Sequence, residues 1–212
     1  MMRSILRSIL AVLLFFVGAT VTAAEPQLGK DYFIHEAPVP EKNSKITVVE
    51  FFSYQCPHCF AFSAPLHDWS QKVAEDVIFE RRAVTIGHQP WTDIARTFYA
   101  LQVMGNLPAL DAEVFNAIHR SKVRLDKIDL IMGWLSQRKV PLMDFDKAYR
   151  SAEARSAFDR GEQLAAEYKI PSIPAMMIDG RYLVLIASDR SFDQQLAIVD
   201  SLIAQARSLR SK

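Results

Sequence analysis

An apolar run that ends just before a pair of cysteines constrains this chain more than any other feature. Residues Ile46–Phe52 are apolar on both faces of a strand apart from Glu50, which is typical of a central strand covered by helices on both sides. Cys56 and Cys59 follow after three intervening residues, and the helical pattern that they open runs to about Ala74. A buried strand followed directly by a helix predicts an α/β fold.

The spacing of the two cysteines allows a disulfide that opens and closes without backbone movement. Three positions apart in a helix, their Cα atoms lie roughly 5 Å from each other, within the usual disulfide range. Pro57 suits the first helical turn, because its missing N–H leaves no hydrogen bond unmade there. Cys56 then lies at the positive end of the helix, where free backbone N–H groups stabilise a thiolate. Cys56 is therefore the predicted nucleophile.

Three uses are open to these cysteines, which are the only two in the chain. A structural disulfide would close a loop of two residues and would add little stability. A zinc site needs two more ligands, and the sequence has no second CxxC motif or close histidine pair to supply them. We therefore favour a reactive dithiol, with no metal site.

The N-terminus predicts export. Arg3 and Arg7 precede an apolar stretch at 9–17 and small residues that end at Ala24, so we expect a cleavable signal peptide over residues 1–24. An uncleaved membrane anchor is the alternative. The whole chain has 25 basic and 24 acidic side chains, and loss of the two arginines would leave a net charge of about −1, which gives no indication of nucleic-acid binding.

The remaining patterns place a helical segment inside an α/β unit. A short edge strand is expected at 32–34, a strand at 77–84, a hairpin at 175–186 with its turn at Asp179-Gly180, and a final helix at 191–209. The stretch between these strands has helical periodicity for about 80 residues, too long for a loop. Within it we expect helices at 91–104, 109–120, 127–138, 144–150 and 151–168, with Asp126 capping the third and Asp144 the fourth.

Glu50 is an acid in an otherwise apolar strand. An isolated buried carboxylate is costly, so Glu50 must be paired, protonated or hydrated. Arg81 and Arg82 on the next strand are the candidate partners. A core ion pair with one of these arginines is the role that the sequence pattern itself indicates.

The remaining histidines carry little predicted chemistry. His67 lies along the first helix, and His119 near a helix C-terminus, where the helix dipole favours a positive ring. His88 near the start of the helical stretch is a weaker candidate for the border of the active face.

Several motifs together resemble a known family. The CPHC motif at 56–59 after a buried strand, with Ile173-Pro174 ahead of a hairpin, is similar to the thioredoxin fold. The helical insertion, the N-terminal signal and Glu50 six residues before Cys56 narrow this resemblance to the DsbA family of thiol:disulfide oxidoreductases. It implies an α/β thioredoxin-like domain from 25–86 and 169–212, with an inserted all-helical subdomain at 87–168.

The resemblance also implies roles by position. Cys56 would be the attacking cysteine, Cys59 the buried resolving cysteine, and Pro174 a cis-proline that faces the disulfide. Ile173 would help to bind peptide. The family's buried acid falls on Glu50, which implies proton transfer at Cys59 as a second role for this residue.

One position departs from the family pattern. The family's lysine near the buried acid falls close to Arg81, and an arginine does not readily lose a proton. Within the motif, Pro57 and His58 are the two intervening residues. The His58 ring can donate to the Cys56 thiolate, or it can be a solvated turn histidine without effect.

The implied activity is donation of the Cys56–Cys59 disulfide to reduced or unfolded exported proteins through a mixed disulfide. A disulfide isomerase or reductase of the same fold is the alternative. The resemblance further implies a periplasmic monomer that needs no cofactor beyond its disulfide and that is reoxidised by a quinone-linked inner-membrane protein.

Overall fold

The computed structural model describes residues 25–36 and 45–210, so the expected signal peptide at 1–24 lies outside the described residues. The strands are β1 (Phe33–Ile34), β2 (Ile46–Phe52), β3 (Val77–Ala83), β4 (Ala175–Ile178) and β5 (Tyr182–Leu185). The helices are α1 (Pro57–Ser70), α2 (Thr92–Val103), α3 (Leu107–His119), α4 (Ile128–Ser136), α5 (Leu142–Arg150), α6 (Ala152–Glu167) and α7 (Phe192–Arg210). A single 3-10 turn, Gln89–Trp91, precedes α2.

The strands form one mixed sheet in the order β1-β5-β4-β2-β3. β2 is parallel to β3 and antiparallel to β4, which confirms the expected β-α-β unit and its later hairpin. β1 pairs with β5 and forms one edge of the sheet. In this register Glu50 lies beside Arg81 on β3 and Met176 on β4.

Helices cover both faces of the sheet, which explains the two-sided apolar pattern of β2. On one face, Val48 and Met176 pack in a cluster with residues of α1 and α7. On the other face, Val49 and Met177 pack with Leu164 of α6.

The helices α2–α6 lie between β3 and β4 in the chain, where the sequence predicted helical periodicity. Most of their buried apolar side chains form one cluster with Phe52, Tyr54 and both cysteines, while Leu164 and Ala165 of α6 pack with the sheet. The cysteine pair is therefore located where the end of β2 meets these helices. Among the described residues, no helix is both long enough and apolar enough to cross a membrane.

The first helix is shorter than its sequence pattern predicted. α1 ends at Ser70 with Gln71 as its C-cap, not near Ala74. The next residues turn back to begin β3, where the N–H of Val77 donates to the carbonyl of Ala74. Strand pairing at this point overrides the local helical pattern.

Both predicted acidic caps in the helical stretch were wrong. The N-cap of α4 is Lys127, and the N–H of Ile128 donates instead to Asp93 Oδ2 at 3.0 Å, while Asp126 pairs with Arg124. The N-cap of α5 is Pro141, and Asp144 lies within the first turn. An acid in the first turn still interacts favourably with the helix dipole.

Candidate functional site

Cys56 is the N-cap of α1. Its backbone is extended (φ −83°, ψ 117°), and its Sγ accepts a hydrogen bond from the N–H of Cys59 at 3.4 Å. Pro57 occupies the first turn, as expected. A turn places Cys56 there, since the N–H of Cys56 donates to the carbonyl of Ser53 at 3.1 Å. The sulfur of Cys56 thus occupies the position where an N-capping oxygen normally accepts.

The two cysteines differ in access. Both are free thiols, so the structure describes the dithiol form. Cys56 retains 8% of its surface and Cys59 none. A substrate sulfur can therefore approach Cys56 only.

The two thiols also differ in acidity. The pKa of Cys56 falls from 9.0 to about 6, because the Cys59 thiol donates to its sulfur and the N–H groups of Cys59 and His58 add to this, against the opposing effect of burial. The pKa of Cys59 is raised by burial and by the neighbouring Cys56. At neutral pH, Cys56 is a thiolate and Cys59 is a thiol.

The loop before β4 lies against Cys56. The Ile173–Pro174 peptide bond is cis, as the resemblance implied. Cys56 Sγ lies 3.6 Å from the carbonyl oxygen of Ile173, to which the thiol donates when Cys56 is protonated. Ile173 is half-buried and Pro174 is buried.

A charged cluster lies behind the cysteines. Arg81 Nε donates to Glu50 at 2.6 Å, so Arg81, and not Arg82, is the partner of the buried acid. Arg81 also donates through Nη1 to Asp111 of α3 at 2.7 Å, and the Tyr54 hydroxyl donates to the other oxygen of Asp111. The guanidinium lies 4.1 Å from the centre of the Phe52 ring. One cation is therefore shared by two carboxylates.

Burial dominates the ionisation of this cluster. The pKa of Glu50 is raised by burial and by the charge of Asp111, and Arg81 opposes this rise. The pKa of Arg81 is raised, because the two carboxylates outweigh the cost of burying the cation. The pKa of Tyr54 is raised by burial and then by Asp111, so Tyr54 remains a neutral donor.

His119 lies in the last turn of α3 and His88 just before α2, as expected, and the structure adds the contacts of the histidine rings. The His58 ring meets Phe192 edge-on with centroids 6.3 Å apart, and within the described part of the chain no hydrogen bond joins this ring to Cys56. His119 stacks on Phe60 and donates from Nε2 to the carbonyl of Tyr54 at 2.7 Å. His88 packs on Trp91. His119 thus supports the turn ahead of Cys56, a contact that the sequence analysis did not foresee.

Comparison with known proteins decides the family. Residues 47–198 match the DSBA-like thioredoxin domain family. The chain belongs to this family. A thiol:disulfide interchange protein DsbA from Azotobacter vinelandii is 32% identical over 213 residues, covering 98% of this chain and 99% of the relative. The DsbA of Pseudomonas aeruginosa is 29% identical over the whole of both chains.

Solved DsbA structures have the same fold. The crystal structure of Pseudomonas aeruginosa DsbA aligns with a TM-score of 0.81 at 31% identity, covering 88% of this chain and 97% of that one. The oxidoreductase DsbA from Xylella fastidiosa aligns with a TM-score of 0.76 at 28% identity, covering 86% and 98%. This DsbA-family chain is therefore a thiol:disulfide oxidoreductase with a thioredoxin-like fold, as the resemblance implied.

Three residues of this DsbA-family site were not predicted from the sequence: Tyr54, Asp111 and His119. Tyr54 and Asp111 are 57 residues apart, and Tyr54 and His119 are 65 apart. No local pattern links residues at such separations. The only available signal was Tyr54, an aromatic residue with a polar handle two positions before the nucleophile.

The unequal acidity of the two thiols predicts a titration. In the reduced protein, the ultraviolet absorption of the thiolate should rise with a midpoint near pH 6, because only Cys56 ionises in that range. Cys59→Ala should move this midpoint toward 9.0, since it removes the thiol that stabilises the Cys56 thiolate most. Cys56→Ala, the matched control, should abolish the transition. An unchanged midpoint in Cys59→Ala would contradict the assigned cause.

Proposed function

We propose that this protein is a dithiol oxidase, which donates its Cys56–Cys59 disulfide to reduced, newly exported proteins. The observation that carries the proposal is the contrast between the two thiols. Cys56 has a pKa of about 6 and residual exposure, whereas Cys59 is fully buried with a raised pKa. A pair of this kind has one good leaving group and one protected thiol.

The reaction proceeds in two exchanges. A substrate thiolate attacks Cys56 Sγ of the disulfide, so that a substrate–Cys56 bond forms and Cys59 leaves with the electron pair. Cys59 then takes up a proton, because its pKa is raised. The second substrate thiolate attacks the first substrate sulfur and releases Cys56 as a thiolate. The substrate leaves oxidised, and the enzyme leaves with one thiolate and one thiol.

The acidity of Cys56 sets the direction. A thiol whose pKa falls from 9.0 to about 6 stabilises the reduced protein most at pH above 9, and this stabilisation is lost as the pH falls through 6. At pH 7 it amounts to roughly 1.4 kcal/mol, or about 30 mV for a two-electron couple. A stabilised reduced form makes the disulfide a better oxidant.

Three further residues take part in this proposal. Pro57 starts the helix without losing a hydrogen bond, so that Cys56 keeps its place at the N-cap. His58 contributes its backbone N–H to the hydrogen bonds that stabilise the Cys56 thiolate. Glu50 supplies the proton that Cys59 needs, because burial favours its protonated form.

Substrate binds beside the pair at Ile173 and Pro174. Ile173 is half-buried, and its carbonyl is next to Cys56 Sγ. The main chain here can pair with an extended peptide, which suits an enzyme with many unfolded substrates because main-chain bonds do not select side chains.

Membership of the DsbA family supports a proposal for the setting of the reaction. We propose that the protein acts as a periplasmic monomer, without a cofactor beyond its disulfide, and that a quinone-linked inner-membrane partner reoxidises it. Residues 25–86 and 169–212 form the thioredoxin-like domain in this proposal, and residues 87–168 form the helical subdomain.

A single-turnover reaction tests the proposal. Oxidised protein is mixed with an equal amount of a reduced peptide that has two cysteines, and both products are analysed by mass after acid quenching. We expect a disulfide in the peptide, two thiols in the protein, and a transient adduct through Cys56. Recovery of reduced peptide at equilibrium would overturn the proposal and favour a reductase.

A further inference from the structure

Arg81 lies between two carboxylates that come from different parts of the fold. Glu50 is on β2, and Asp111 is on α3. The guanidinium reaches Glu50 through Nε at 2.6 Å and Asp111 through Nη1 at 2.7 Å. Because the cation is fixed by two anions at once, neither carboxylate has it alone.

The two carboxylates differ in their access to water. The Glu50 side chain is 1% exposed, and that of Asp111 is 25% exposed. Asp111 also lines a cavity of about 380 Å³ between α1 and α3, together with Phe60 and Arg120. Asp111 therefore has solvent at hand to support its charge, whereas Glu50 depends on Arg81.

Within residues 25–36 and 45–210, the charged and titratable groups that interact with Glu50 belong to one cluster. These groups come from β3, α3, the turn before α1 and the start of α1, and they are Arg81, Asp111, Tyr54, Cys56 and Cys59. On β4 the neighbour is Met176, which carries no charge. Arg81 is the single cation in this set, so any share of it taken by Asp111 is lost to Glu50.

We propose that Asp111 is a positioning residue for the thiol–disulfide reaction, which shares Arg81 with Glu50 and so keeps Glu50 protonated and able to supply a proton to Cys59. The inference rests on the proposed function, in which Cys59 must be protonated as it leaves. The carboxyl of Glu50 gives its proton to the Cys59 thiolate, and the resulting carboxylate is held by Arg81 until a proton from water restores it.

Without the charge of Asp111, Arg81 should form an ion pair with Glu50 alone. Glu50 would then ionise at lower pH, and less of the protein would have a proton ready for Cys59. The test is the pH profile of mixed-disulfide formation between oxidised protein and a single-cysteine peptide, with each rate divided by the thiolate fraction of the peptide. For Asp111→Asn, we expect the alkaline fall of the profile to begin at lower pH, with a rate at pH 7 that is roughly tenfold below wild type.

Matched variants separate this effect from a structural one. Glu113→Gln removes an equal charge two residues along α3, where the carboxylate is half exposed and pairs with Arg138, and should leave the profile unchanged. Asp111→Glu keeps the charge and should restore the profile. In a Glu50→Gln background, Asp111→Asn should have no further effect, because its influence acts through Glu50.

Two results would overturn the inference. One is an Asp111→Asn profile that coincides with wild type. The other is a loss of rate of equal size in the Glu50→Gln background, which would assign Asp111 a purely structural role. Failure of the proposed function is distinguishable, because wild-type protein would then leave a reduced dithiol peptide unoxidised at every pH.

Discussion

Cys59→Ala is expected to convert the enzyme into a covalent trap. Its Cys56 can still attack a disulfide-bonded peptide, but the variant has no second thiol to release the adduct. Peptide joined to Cys56 should therefore accumulate, as seen by mass under non-reducing conditions. Oxidation of dithiol peptides should fall by roughly a thousandfold or more, because residues that act as a unit fail together.

Cys56→Ala is the matched control for this trap. Its remaining thiol, Cys59, has no exposed surface and a raised pKa. Cys59 should therefore form no adduct, although it is only three residues from position 56. An equal yield of adduct from Cys59 would contradict the assignment of Cys56 as the reacting thiol. Addition of a small thiol should release the peptide from the Cys59→Ala trap, since the adduct is a disulfide.

Arg81→Met is expected to have the largest effect on stability. The substitution removes the cation from the buried Glu50 and leaves an apolar chain of similar length over Phe52. At a pH where Glu50 is ionised, loss of its buried partner costs about 3–5 kcal/mol in the free energy of unfolding. Urea unfolding at pH 8, compared with wild type, measures this cost.

The pH dependence identifies the cause of that cost. Without Arg81, burial raises the pKa of Glu50 further above its ordinary 4.5. A carboxyl whose pKa is raised on folding contributes stability that is complete below its unfolded pKa and is lost as the pH rises through its folded pKa. The deficit of Arg81→Met should therefore be small near pH 4 and largest at pH 8.

A double variant tests whether the charge of Glu50 causes the loss of stability in Arg81→Met. Arg81→Met with Glu50→Gln should recover most of the stability at pH 8, because no buried charge remains in β2. If instead the deficit of Arg81→Met is equal at pH 4 and pH 8, its origin is packing against Phe52 and not the charge of Glu50.

Local sequence signals account for the frame of the site. The two-sided apolar run of β2, Pro57 after Cys56, and the Asp179-Gly180 turn each have one structural reading, and the structure has the strand, the helix start and the hairpin there. The sequence predicted Arg81 or Arg82 as the partner of Glu50, because parallel pairing places β3 beside β2.

Long-range contacts account for what could not be predicted. Asp126 has the form of an N-cap, but Asp93 on α2 accepts from the first N–H of α4, 35 residues away in the chain. Asp111 is an ordinary acid on a partly exposed helix, and nothing near it in sequence indicates that Arg81 and Tyr54 bind it. Such residues acquire their role only when α3 packs beside the active-site turn.

The oxidising character of the Cys56–Cys59 pair is tested most directly by its redox equilibrium in graded glutathione mixtures, read by thiol trapping. We expect the pair to stay reduced until the mixture is strongly oxidising. We also expect the reduction potential of the pair to fall as the pH rises, by about 59 mV per pH unit below pH 6 and by about 30 mV per pH unit above pH 6. The slope halves because above pH 6 only Cys59 takes up a proton on reduction. A pair that remains oxidised in reducing mixtures would contradict this account.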